Sequence, residues 1–196
     1  MEDYTSKFIP AEKNAPKPDT EPATADAELE ARSLIPVDIE EVEDTDPDSE
    51  YVVLGMFSRE GEMVPFTCMV LREELANVQN SDRIPVLVVT AFPNGELRRY
   101  SSEEEYENSR DEKEPFVPAS QSILYREREY LEHRALVTGV VRGIRGEFPT
   151  MTGEKTAIFL EILGKVITLV LDEEEYEDLK PGEVLSGILS LFGDFA

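Results

Sequence analysis

The chain has 196 residues, with 43 Asp or Glu against 19 Lys or Arg, a formal net charge of −24 and a pI near 4.3. That length can bury a core in one or two domains, whereas a field of that sign repels phosphate backbones and anionic lipid and disfavours nucleic-acid and membrane-surface binding. Cys68 is the only cysteine, which excludes an intramolecular disulfide framework.

Residues 1–50 hold sixteen acids against four bases, six prolines, and Tyr4 and Phe8 as their only aromatics. Such a segment buries too little apolar surface to offset its ordering entropy, so an acidic disordered arm is expected. Two stretches inside it are exceptions: 23–34 has helical composition, with Leu29 and Ile35 flanking Leu34, and reads as a nascent helix or a docking segment, and 34–37 can lie as an extended strand along the body. From Tyr51 a β-rich subdomain, 51–118, begins. Runs 51–57 and 63–71 flank turn chemistry at 58–61 and read as a hairpin. Pro65 pushes the second run toward an edge or bulge. A short helix at 72–79 precedes a central strand at 84–91, in which Ile84, Val86, Val88 and Val89 are β-branched. Pro93-Asn94-Gly95 turns the chain into a returning strand at 97–100. The acidic stretch 101–115 reads as a mobile loop with a helical turn at 103–108. No internal repeat aligns at a fixed period.

The second subdomain, 119–196, begins with a segment at 121–133 whose period does not separate helix from strand. Strand 136–144 follows, interrupted by Gly139, and 143–153 reads as a long loop. Runs 157–162 and 166–171 pair across Leu163-Gly164. Asp172 and Glu175 have capping-box spacing, opening a short helix that Pro181-Gly182 stops. The last strand, 184–192, is broken by Gly187. In this order of elements, 136–192 resembles the oligonucleotide- and oligosaccharide-binding barrel, the OB fold, a partly open five-stranded Greek key. Only one strand follows the helix, so it has to serve as two. The fold class expected is therefore mainly β, a β-rich α+β chain with an acidic N-terminal arm, a hairpin-rich first half and a small OB-like β-barrel.

Barrels of that kind bind single strands through a basic groove and aromatic platforms. The resemblance puts Phe159 with Arg142, Arg145 and the Phe148 loop on the corresponding surface. Residues 126–145 carry five Arg against three Glu and His133, the only locally basic stretch. Ordinary surface arginine on a very acidic molecule explains it better than an electrostatic footprint. Exposed acids such as Glu173, Glu174 and Glu175 are candidate partner contacts.

No motif indicates catalysis. Asp44, Asp46 and Asp48 alternate as in a calcium loop, but Ser49 and Gly55 stand where that loop needs glycine and glutamate. Gly153-Glu154-Lys155-Thr156 lacks the spacing of a phosphate loop. His133 has no nucleophile with which to form a triad, and Cys68 sits in an apolar run, the setting of a structural thiol. No catalytic residue, metal site or cofactor is expected. Apolar runs are too short to span a membrane, and no basic flank and hydrophobic stretch mark a signal peptide. The expectation is a cytoplasmic, non-catalytic, acidic interaction module with a protein partner, without nucleic acid or membrane. Two alternatives are an acidic mimic that blocks a basic DNA- or RNA-binding protein, and an OB-like nucleic-acid or ligand-binding barrel autoinhibited by its own acids.

Overall fold

Apolar residues at every second position, as in Val52, Leu54 and Met56, line one face of an extended segment, and all three are buried. The computed structural model describes residues 24–44, 46–58, 65–109, 122–123, 133–150, 153–172 and 176–196. The protein is mainly β. Helix α1 (Thr24–Arg32) leads into β1 (Ile35–Glu43), β2 (Tyr51–Ser58) and β3 (Pro65–Leu71). Helix α2 (Arg72–Gln79), β4 (Val86–Pro93), β5 (Arg98–Tyr100), α3 (Glu103–Asn108) and β6 (Ser122–Ile123) follow. The long β7 (Arg134–Thr150), then β8 (Gly153–Ile162), β9 (Lys165–Asp172) and β10 (Val184–Phe195) complete the order.

All ten described strands belong to one sheet. Eight of them close a ring, β1-β2-β3-β10-β7-β8-β9-β4 and back to β1. The antiparallel β4–β10 ladder crosses the ring, so each half of the chain completes a five-strand circuit with a strand from the other half. In the first circuit β10 runs parallel to β3; in the second, β4 runs parallel to β9. One core fills both: Leu54, Cys68 and Leu87 belong to the same buried cluster as Val141, Leu160, Leu169 and Leu189. The halves therefore share a single sheet and a single core.

The two circuits are related by an approximate two-fold repetition. Thr90 and Phe192 lie opposite each other, and their parallel neighbours are Thr168 and Met69 respectively. Asn94 donates its N–H to the carbonyl of Ile188 at 2.8 Å, and Ala196 donates to Val86 at 2.9 Å. Both members of the second bond are related to those of the first by 102 residues. Ile35 opposite Leu87 is likewise matched by Ala135 opposite Leu189. The repeat absent from the sequence is present in the ladders.

Three further expectations change. The acidic segment does not extend as an arm to residue 50, because Ile35 and Val37 alternate into the core and make 35–43 a strand of the ring. Residues 143–150 are not a loop. They continue β7 against β8 through two slips, after Val141 and after Ile144, and such bulges bend a hairpin without ending it. β5 does not return along β4 but pairs with β10. Most of 121–133, residues 59–64 with most of the turn expected at 58–61, the remainder of the expected acidic loop beyond Ser109 and residues 173–175 of the expected helical turn lie outside the described residues.

Candidate interaction surface

One residue from each ring strand forms a row on the face opposite the core: Gly143, Phe159, Thr168, Thr90, Phe192, Met69, Val53 and Glu43. An outward face normally carries polar residues. In the second half it is instead apolar and covered: Ala157, Phe159, Val166 and Val170 are all buried, and Thr168 is 0% exposed. β8 and β9 are thus buried on both faces.

Part of that cover is α1. Leu29 lies at Gly143, the neighbour of Phe159 in the row; a Cβ built on Gly143 would stand 3.4 Å from Leu29 Cδ1 and 3.6 Å from the Phe159 ring. Arg32 ion-pairs with Glu161 of β8 and donates to the Gly164 carbonyl at 3.2 Å. At the helix end, Ser33 donates its hydroxyl to the Glu30 carbonyl at 2.7 Å. Glu161 also accepts from Arg142. Burial pushes the Glu161 carboxyl up, but the hydrogen bonds from Arg142 and Arg32 outweigh it and hold the pKa below its ordinary value.

Of the residues singled out in the sequence, Arg142, Arg145 and Phe159 do come together here, in internal roles. Arg142 is committed to Glu161. Arg145 places its guanidinium 5.7 Å from the Phe159 ring centroid and donates to Thr168 Oγ1 at 2.8 Å. Phe159 is 2% exposed and presents no ring to solvent. Phe148 stands apart from this group, edge-on to Phe92 at 6.4 Å; Phe92 meets Phe192 at 5.6 Å, and His133 tilts against Phe192 at 5.6 Å. Glu173, Glu174 and Glu175 lie outside the described residues. Leu29 lies in the stretch 23–34 that the sequence offers as a nascent helix or docking segment, whereas Arg32, Glu161 and Thr168 were missed. A signal for Arg32 was available: it is the only base between Lys17 and Arg59.

Elsewhere charge serves the scaffold. Arg72 pairs with Asp44 and donates to the carbonyls of Asp46 and Ser49 at 3.0 and 3.1 Å, so the alternating aspartates cap a connection. Arg99 ties β5 to Glu183 at 2.8 Å and to Asp178 at 2.6 Å. Cys68 is buried, and that burial, with the Asp194 charge adding to it, pushes its thiol well above the ordinary value. Among the described residues no group of three or more His, Cys, Asp or Glu could hold a metal ion. No described helix is long and apolar enough to cross a membrane.

No protein-family model matches the chain, and no curated protein matches its sequence.

Proposed function

We propose that the protein is a non-catalytic interaction module whose sheet faces take short segments of protein. The observation that carries this reading is the second outer face. It is apolar where a solvated sheet would be polar, and it holds a helical segment from the chain's own acidic N-terminal region through Leu29 and Arg32. Surfaces of that composition, rimmed by charge, are the kind that proteins use to meet other chains.

The order of elements supports an OB-like reading of the two circuits. Each half runs through a three-strand meander and a helical segment to a fourth strand, and the fifth strand comes from the other half. On that reading β4, which pairs with both β9 and β10, serves as the strand that follows the second helical turn. Fold alone does not assign a ligand. The engaged state of Arg142, Arg145 and Phe159 weighs against an open stacking groove for single strands, and so does the net charge of −24.

Co-purification of the tagged full-length protein from native lysate, washed at low and then high salt, tests this reading. A protein partner that survives high salt is the expected result. A basic nucleic-acid-binding protein released by salt would overturn it in favour of charge mimicry, and a nucleic-acid absorbance ratio in the eluate would overturn it in favour of a nucleic-acid binder.

A further inference from the structure

We propose that the outer face of β7, β8 and β9 is a docking site for a short partner helix that presents a large apolar residue and, three positions on, an arginine, and that α1 is its resident occupant in cis. This deepens the interaction-module reading and rests on it. The first support is the fit. Gly143 leaves a seat for Leu29 beside Phe159, and Glu161 with the Gly164 carbonyl takes the arginine. Residues three apart share one helix face, so Leu29 and Arg32 reach these points together. The equivalent row in the first half ends in Glu43, opposite Val53, where the second half has Gly143 opposite Phe159. The glycine seat therefore belongs to one half only.

The second support is the weakness of the occupant. α1 has nine residues, and helices below about 12–15 residues are marginal in water. Leu29 is its only large apolar side chain, and Arg32 pairs at a rim that solvent reaches. Charge narrows the partner. α1 carries Glu28 and Glu30, and residues 51–196 hold 27 acids against 15 bases, so long-range repulsion opposes its docking even with Arg142 and Arg145 on the face itself. A neutral or basic helix with the same leucine–arginine spacing makes the same contacts without that repulsion and displaces α1 by competition, limited by the effective concentration of the tethered segment.

The test uses full-length protein and two labelled synthetic peptides, residues 21–34 of this chain and the same peptide with Asp26, Glu28 and Glu30 replaced by Lys, read by fluorescence anisotropy. The Leu29→Ala/Arg32→Ala variant empties the seat while leaving the core untouched, and Arg32→Glu alone is a milder, rim-only release. Both peptides are expected to bind the double variant about tenfold or more tightly than wild type, and Arg32→Glu protein by an intermediate factor; the Lys peptide binds best throughout. Equal binding to all three proteins, or none to variants that keep the wild-type circular dichroism, would overturn the docking site. Lysate capture with wild type and the double variant separates the two readings. A partner held in the same yield by both leaves the module standing and removes this site from it. Peptide binding without any captured protein leaves the site standing and removes the module.

Discussion

Phe159 of β8 is 2% exposed beneath Arg145 and beside the Gly143 seat of Leu29, while Val53, its counterpart two strands from the pseudo-two-fold axis in β2, is only half-buried. The same divergence recurs at the shared ladder. Phe92 in β4 stacks edge-on with Phe148 and Phe192, whereas the position 102 residues on is Asp194, set near Glu74 of α2. Inside, the halves agree: Leu54 and Leu160 occupy equivalent places in one core and are both buried. Repetition has kept the interior and released the exterior. The second half has become a three-layer structure of core, sheet and cover, and the first half keeps a plainer outer face.

The largest expected effect breaks this contrast directly. Phe159→Ala empties a site enclosed on the outer side and should cost about 3–5 kcal/mol. Val53→Ala removes less from a site that solvent already reaches, and should cost about 1 kcal/mol. Urea titrations of the two variants decide it; equal losses would mean that the two outer faces are equally covered. The core makes the opposite prediction. Leu54→Ala and Leu160→Ala should each cost about 2–5 kcal/mol, and each should lower a single common transition, because both circuits empty into the same cluster. Two separate transitions in either variant, followed by circular dichroism and by tyrosine fluorescence, would show that the halves unfold independently.

A smaller effect is expected at Gly139, the counterpart of Ile39 in the first half. A Cβ at Gly139 would stand 2.7 Å from Leu160 Cγ and 3.0 Å from the Glu161 carbonyl oxygen. Gly139→Ala should therefore cost about 1–3 kcal/mol by overpacking. The backbone oxygen cannot move aside as a side chain would. A double variant with Leu160→Val should recover part of the loss if crowding of the leucine is its cause; no recovery would assign the cost to the carbonyl.

Much of the strand content was legible because it is local: alternation through Val52, Leu54 and Met56, and the β-branched run at Val86, Val88 and Val89, state their faces without tertiary help. Pairing was not, because the ladders that join β3 to β10 and β4 to β9 link residues more than 70 positions apart, as Thr90 and Thr168 show. The stretch from Gly143 to Pro149 carries glycine, arginine and proline, the chemistry of a loop, and only its partner strand reveals it as a bulged continuation of β7. The repeat is invisible in sequence because equivalent positions keep only their polarity pattern on the inside, Cys68 for Ile167, and not even that on the outside, Asp194 for Phe92. Arg142, Arg145 and Phe159 were legible as a group, but Glu161 and Thr168, which decide what those residues do, are ordinary strand residues until the register is known.

The mildest test concerns Asp194 itself, where an acid stands in place of the aromatic. Burial first, and then the neighbouring Glu74 carboxylate, push its pKa from 3.8 up to about 6. Cys68 and Tyr51 are the other titratable groups that feel its charge, and Glu74 is further engaged by the Phe195 N–H at 3.2 Å. A carboxyl whose folded pKa lies above its unfolded value binds more protons in the native state, so stability falls as pH rises between about 4 and 6. Full linkage over that shift would be about 3 kcal/mol, and the solvent that still reaches Asp194 reduces it to about 1 kcal/mol. Asp194→Asn should thus be more stable than wild type by about 1 kcal/mol at pH 7.5, with the gap closing by pH 4. Urea midpoints of the two proteins at both pH values give the answer, and a gain that persists at pH 4 would assign the effect to packing against Val88 and not to charge. A first half that tolerates this acid where the second stacks Phe92 is one whose outer face is still reached by water, the condition under which a carboxylate can occupy a position equivalent to a packed aromatic.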